Sequence, residues 1–229
     1  RRGVPAVKPT IVCVLCGRAF EALAAIAAHF EILAFITCCP IDQECLRRDF
    51  PGVPIIPGVV EAVKVWAQTM ALQSLAVSIS FCCQPSSMAN MHQKVNDPRD
   101  LTARFAIRLA MELNPRFVVC ENVKGFKTAR VETYNFVLET LTTREFRVFD
   151  FVSQALWFGV PAKRERRFIV ATRFTAEDHI KIENEILART LIQKAAFQEG
   201  LKTTRTPREA LHPYRNVRGK KGAFIHQLR

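Results

Sequence analysis

Short apolar runs recur along the first three quarters of the chain: Ile11-Val12-Cys13-Val14-Leu15, Ile32-Leu33-Ala34-Phe35-Ile36, 53–56, Leu75-Ala76-Val77-Ser78-Ile79, Phe117-Val118-Val119-Cys120 and 146–152. Runs of this length, bounded by turn residues, read as buried strands. Between them lie stretches with helix-forming composition. Residues 19–30 are Ala-rich, 42–49 form a short segment stopped by Pro51-Gly52, and 60–70 and 131–142 follow the same texture. Residues 101–113 are periodic enough for an amphipathic helix ended by Asn114-Pro115. Strands alternating with helices predict an α/β fold with a doubly wound, mostly parallel sheet. Beyond Arg173 the alternation stops: 176–198 is charged and helical in character, and 200–229 is basic and short of apolar clusters.

In open α/β sheets, ligands collect beyond the carboxyl ends of the strands. One run feeds directly into Ser80-Phe81-Cys82-Cys83-Gln84-Pro85, which places Cys83 at a strand end. Another ends in Glu121-Asn122-Val123, and Gly159-Val160-Pro161 leads through Lys163-Arg164-Glu165-Arg166-Arg167 into the strand-like Phe168-Ile169-Val170. A thiol, a carboxylate and an arginine pair, each at a strand edge, point to one composite site. On an extended strand Arg164 and Arg166 face the same way, while Lys163 and Arg167 suit a solvated basic edge.

Composition narrows the setting. The chain has 229 residues, 49% of them hydrophobic, enough for a sizeable core. No run approaches the ~18 apolar residues of a membrane span, and no secretory signal is visible. A net charge of +12 favours a polyanionic partner, most simply nucleic acid; the bland alternative is charge that serves solubility alone. Eight cysteines include the adjacent pairs Cys38-Cys39 and Cys82-Cys83, which suit a reducing compartment, nucleus or cytoplasm, rather than a disulfide framework. Cys13 and Cys16 have Cys-x-x-Cys spacing, but Cys13 lies inside a strand-like run, so no metal is expected. A start at Arg1-Arg2 rather than Met reads as an excerpt of a longer product. Oligomeric state leaves no trace in the sequence.

The order Cys83-Gln84-Pro85, then Asp97-Pro98-Arg99, then 115–123 with Glu121-Asn122-Val123, then Gly159-Val160-Pro161 with Arg164-Glu165-Arg166, resembles the cytosine-C5 methyltransferases. The resemblance spans 11–211 and is densest over 78–173. It implies a Rossmann-like methyltransferase fold, with a basic lead-in at 1–10, the catalytic domain at 11–173, and an extension at 174–229 leading toward a target-recognition region. It also implies methyl transfer from S-adenosylmethionine to C5 of cytosine in DNA. Cytosine C5 is a poor nucleophile, and a thiolate adding at C6 turns it into an enamine-like carbon. The family pattern gives that thiolate to Cys83, presented by Gln84 and Pro85, although Cys82 stands where the family has Pro. Glu121 would hold the base and supply a proton from a desolvated carboxyl group. Asn122 and Val123 would shape its loop, and Arg164 and Arg166 would position base and phosphate. The base must leave its stack to reach such a pocket.

The cofactor half departs from the family. The resemblance places S-adenosylmethionine beside Leu15, Gly17, Thr37, Cys38 and Val59. Only one glycine remains in the first turn, and the acids expected after the second and third strands are absent; Asp42 or Glu44 are candidate substitutes. The string 121–126 also resembles the branch that methylates tRNA. Two alternatives therefore stay open: the same chemistry on tRNA, and a non-catalytic nucleic-acid-binding relative with a degraded cofactor site.

Overall fold

The computed structural model of the chain describes residues 8–15, 17, 20–70, 75–83, 99 and 101–199. The chain divides into two compact units. The first comprises Arg1–Ser153 and Glu165–Leu187, the second Gln154–Arg164 and Ala188–Arg229. In chain order the elements are β1 (Thr10–Val14), α1 (Phe20–Ala27), β2 (Glu31–Thr37), α2 (Pro40–Asp49), β3 (Ile55–Pro57), α3 (Val60–Thr69) and β4 (Leu75–Ser80). After these come α4 (Leu101–Glu112), β5 (Phe117–Val123), α5 (Phe126–Ala129), α6 (Val131–Thr143), β6 (Arg147–Gln154), a 3-10 turn (Ala155–Phe158), β7 (Glu165–Thr172) and α7 (Ala176–Gln198).

The strands form a seven-stranded sheet in the order β3-β2-β1-β4-β5-β7-β6. Strands β3 to β5 run parallel, and β7 enters antiparallel beside β5. The chain winds outward from β1 to β3, returns across β1, and winds the other way through β4 and β5. The reversal leaves a crevice between the carboxyl ends of β1 and β4, where such sheets accept ligands. The doubly wound, mostly parallel α/β fold expected from the alternation of elements is the fold observed. The reversed β7 was not visible in the apolar pattern.

Alternation along each strand assigns the two faces. Val12, Val14, Val77, Ile79, Val118 and Cys120 belong to the large core with the buried side of α4 and with Val63, Val137 and Leu141. Cys13 and Phe35 turn the other way, toward Ala22 of α1 and Leu46 of α2, while Ile11 and Ala76 pack with Ala25 on that same side. Helices therefore cover both faces, as parallel strands require.

In the second unit, Gly159 closes the 3-10 turn at φ +81°, a left-handed conformation that glycine adopts at little cost. The Lys194 ammonium sits 5.5 Å from the centroid of the Trp157 ring.

Gly58, just past β3, presses on the end of β2. Its amide donates to the Thr37 carbonyl at 3.2 Å, and a Cβ there would stand 3.1 Å from the Cys38 nitrogen and 3.3 Å from the Thr37 carbonyl carbon. Because both obstacles are backbone, Gly58→Ala is expected to destabilise the protein by about 1–3 kcal/mol. A urea midpoint equal to or above that of the parent chain would show that the two loops are looser than described.

Candidate active site

Parallel register brings the relevant strand ends level. Ser80, the last residue of β4, is the Cα partner of Glu121 on β5, and Val123 on β5 is the partner of Arg166 on β7. Because β7 runs antiparallel, its first residues lie at the same edge as the last residues of β5. Glu121, Asn122 and Val123 thus belong to the end of β5 itself rather than to a loop after it. A strand end is a stiffer mount than a loop, which suits a group that must be aimed.

Glu121 is held by an ion pair: the Arg166 Nε lies 2.6 Å from a Glu121 Oε, with both side chains about four-fifths buried (20% and 24% exposed). The Glu121 carboxyl group is thus largely buried, as its expected role requires, and oriented by the Arg166 guanidinium. Arg166 is itself oriented, because its Nη1 donates to the Glu165 carbonyl at 2.8 Å. Beside it, the exposed Lys124 ammonium meets both Glu165 carboxylate oxygens at 3.2 Å. Glu121 and Ser80 fall on the same face of the sheet, alternate residues from Phe117 and Ala76, which pack with α1.

Asn122 turns to the opposite face and is 3% exposed. Its Nδ2 donates to the Phe81 carbonyl at 3.2 Å, and its Oδ1 accepts the Val123 amide at 2.8 Å. This buried amide ties the end of β5 to the segment that carries Cys82 and Cys83. Phe81 is buried against Phe126, with ring centroids 5.0 Å apart, which secures the same segment from the core side. Cys82 and Cys83 follow directly, partly buried and in reduced form. Gln84 and Pro85, and Asp97-Pro98 of the second motif, lie outside the described residues.

The arginine pair separates. Strand β7 begins at Glu165, so Arg164 precedes it and shares no strand face with Arg166. Arg164 belongs to the second unit and is exposed; its carbonyl accepts the Ala155 amide at 2.9 Å. Because β7 starts only at Glu165, the expectation of two guanidinium groups projecting from one strand is not met. Arg167, which suited a solvated edge, proves to be 13% exposed in its side chain and ion-paired with Asp150. Asp150 also accepts the Tyr134 hydroxyl at 3.0 Å, and burial with this hydrogen bond pushes the phenol up to about 12. Sequence reasoning missed this pair, because nothing in the spacing of 150 and 167 announces that β6 and β7 are neighbours.

At the cofactor end, Leu15 and Gly17 both have left-handed backbone, φ +50° and +52°. For Leu15 this is uncommon and costly, a form of strain that gathers at ligand sites. Cys38 is exposed and Val59 is half-exposed, each at a strand's carboxyl end. Thr37 is 1% exposed, and its hydroxyl accepts the Cys39 amide at 3.2 Å, so it braces the turn rather than facing a ligand. Asp42 stands in the first turn of α2, close after β2, and Glu44 is exposed.

One acid not anticipated from the sequence lies at the crevice. Glu21, in the first turn of α1, accepts the Ser80 hydroxyl with one carboxylate oxygen; the other, Oε2, is buried and has no hydrogen-bond partner among the described residues. A turned backbone, an apolar side chain at β3 and an orphaned carboxylate oxygen fit a cofactor that combines a flat apolar ring with a cationic group. S-adenosylmethionine has that chemistry. Among the described residues no cluster of His, Cys, Asp or Glu is suited to a metal, and no helix is long and apolar enough to cross a membrane.

The sequence pattern of the C-5 cytosine-specific DNA methylase family matches residues 21–219, and the chain belongs to that family of cytosine-C5 methyltransferases. Its relatives include a tRNA methyltransferase and Type II methyltransferases. It is 24% identical over 148 residues to a tRNA (cytosine(38)-C(5))-methyltransferase of Mus musculus, covering 64% of this chain and 34% of that protein. It is 30% identical over 140 residues to the Type II methyltransferase M.Eco47II of Escherichia coli, covering 60% and 33%, and 26% identical over 163 residues to M.AquIA of Picosynechococcus, covering 63% and 66%. Among solved structures, the Spodoptera frugiperda DNMT2 mutant E260A/E261A/K263A superposes with a TM-score of 0.57 at 22% identity, covering 72% of this chain and 50% of that one. A putative DNA modification methyltransferase from an E. coli prophage gives 0.59 at 19%, covering 71% and 46%. The chain thus spans from about a third to two thirds of the length of these relatives. The solved structures establish the likeness of fold.

Two further thiols are structural. Burial, with a smaller contribution from the Glu21 charge, pushes Cys13 up to about 12, and burial alone does the same to Cys120. Between the ordinary thiol value of 9.0 and about 12, the unfolded chain loses these protons while the native chain keeps them. Stability due to these groups is therefore complete below pH 9.0 and falls as pH rises toward about 12. Urea midpoints measured from pH 8 to pH 10 should decline less for Cys120→Ala than for the parent chain; parallel curves would contradict the assignment.

Proposed function

We propose that this chain carries the catalytic centre of an S-adenosylmethionine-dependent methyltransferase acting on C5 of cytosine in DNA, with Cys83 as the covalent nucleophile. The observation that carries the reading is the Asn122 tie, which draws the Cys83 segment to the strand end where Glu121 is paired with Arg166. Buried polar groups are retained when they are satisfied, and this amide is bonded on both of its atoms.

In this account the Cys83 thiolate adds to C6 of a cytosine drawn out of its stack. Electron density moves toward N3, where Glu121 supplies a proton, and C5 becomes nucleophilic. Arg166 fixes the orientation of Glu121 throughout. Loss of the C5 proton to a base or water, with the N3 proton returned to Glu121, then expels the Cys83 thiolate and restores the aromatic ring. S-adenosylmethionine, when bound, supplies the electrophilic methyl group; Leu15, Gly17, Cys38 and Val59 would line its place, with Thr37 bracing the turn beneath. Arg164, outside β7, is suited to a phosphate rather than to the base. The net charge of +12 favours a nucleic-acid partner in either reading of the polymer.

DNA is the leading substrate because the family whose pattern matches most of the chain is named for it. A tRNA substrate is the second reading, favoured by the Glu121-Asn122-Val123-Lys124-Gly125-Phe126 string and by the mouse relative.

Transfer of labelled methyl from S-adenosylmethionine to duplex DNA and, separately, to tRNA tests both readings with the longest product that contains this chain. Cys83→Ala is expected to abolish transfer, and Glu121→Gln to lower it by about 100- to 10,000-fold. Transfer to tRNA alone would replace the DNA reading. No transfer to either polymer by a folded protein would favour the non-catalytic alternative.

A further inference from the structure

The crevice between β1 and β4 holds a charged group that none of the family motifs at this chain's cofactor site accounts for. Glu21 lies in the first turn of α1, directly after the strained turn that follows β1. Register fixes its depth. Val14 on β1 is the partner of Ile79 on β4, so Ser80, which donates to Glu21, stands one residue beyond the end of β1, level with Leu15. Ser80 is in turn the partner of Glu121. The Glu21 carboxylate therefore sits at the reversal of strand order, one strand away from the Glu121–Arg166 pair and on the same face.

Its two oxygens are unequal. Oε1 accepts the Ser80 hydroxyl, whereas Oε2 is buried without a hydrogen-bond partner among the described residues. A buried carboxylate oxygen left unpaired is costly and calls for an account, and a bound cationic ligand supplies one. The charge is felt by its surroundings: Glu21 contributes to holding the neighbouring Cys13 thiol protonated. The acids expected directly after β2 and β3 are absent, and Glu21 brings a carboxylate to the crevice from α1 instead.

Resting on the reading of this crevice as an S-adenosylmethionine site, we propose that Glu21, positioned by Ser80, binds the α-ammonium group of the cofactor's amino-acid end. Two cations compete for that role, the ammonium and the sulfonium. A carboxylate against the sulfonium would stabilise the charge that disappears as the methyl departs, favouring the ground state over the transition state. The ammonium keeps its charge through the reaction, so pairing with it strengthens binding without slowing transfer. Placement agrees: Glu21 lies on the β4 side of the crevice, away from the exposed Val59 at β3, where an apolar ring is better received. The acid lost from the ribose end is thus offset by a charge-assisted contact at the opposite end.

The test is calorimetric and independent of catalysis. S-adenosylhomocysteine and its deamino analogue, which lacks only the α-amino group, are titrated into the full chain and into Glu21→Gln and Ser80→Ala. The parent chain is expected to bind S-adenosylhomocysteine about tenfold or more tightly than the deamino analogue, and Glu21→Gln to erase that preference while binding the deamino analogue as before. Ser80→Ala should reduce the preference partly. Unchanged binding of the deamino analogue serves as the control for folding. A preference that survives Glu21→Gln would overturn the proposal and leave the cofactor reading intact. Equal weakening of both ligands would also overturn it, by assigning Glu21 a purely structural part. Failure of the folded parent chain to bind either ligand would remove the cofactor reading, and this proposal with it.

Discussion

A single buried amide sets the geometry on which the site depends. Asn122 lies 3% exposed between two strand ends, donating to the Phe81 carbonyl and accepting from the Val123 amide. Replacing it with an apolar residue would strand the buried Phe81 carbonyl, at a cost of about 1–3 kcal/mol, and leave the Val123 amide without its side-chain acceptor. That cost makes the distance between the Cys83 segment and Glu121 a property of the core rather than of a flexible loop. The rings of Phe81, Phe126 and Tyr134, tilted and then edge-to-face, support the same segment from beneath, at centroid separations of 5.0 and 5.9 Å.

Around that tie the sheet lays out its charges in a row. Across the carboxyl edge, Glu21 with Ser80, then Glu121 with Arg166, share one face, because each stands at an alternate position of its strand or is bonded to one that does. On the flank, Arg167 is taken up by Asp150 and Tyr134, which anchors β7 against β6. These pairs differ in weight. Lys124 with Glu165 is exposed at both ends and contributes little to stability, whereas the Arg167–Asp150 pair is largely buried, and losing either partner would leave an uncompensated charge. The antiparallel entry of β7 is what makes the row possible, since it turns the start of that strand toward the end of β5.

Much of this was legible in the residues. Alternating apolar runs and helical stretches were enough to predict the doubly wound sheet, and the helix expected over 176–198 is α7. Cys83 and Glu121 were marked by their place directly after such runs. Three features were not legible, each for a physical reason. The start of β7 at Glu165 rather than nearer Phe168 followed from pairing with β5, a long-range contact without local signal. The burial of Arg167 depended on Asp150, seventeen residues away. Glu21 sits in an Ala-rich helix whose composition suggested only propensity, and its role emerges from the register of β1 and β4.

The central claim, that Cys83 and Glu121 act as one centre on cytosine, is tested most directly by covalent trapping. Duplex DNA and tRNA carrying 5-fluorocytosine would be offered with S-adenosylmethionine to the longest product containing this chain, and the adducted peptide identified by mass spectrometry. Fluorine at C5 blocks the final elimination, so the account predicts a stable adduct on Cys83, absent in Cys83→Ala and formed far more slowly in Glu121→Gln. An adduct on Cys82, or none with either polymer from a folded protein, would contradict it.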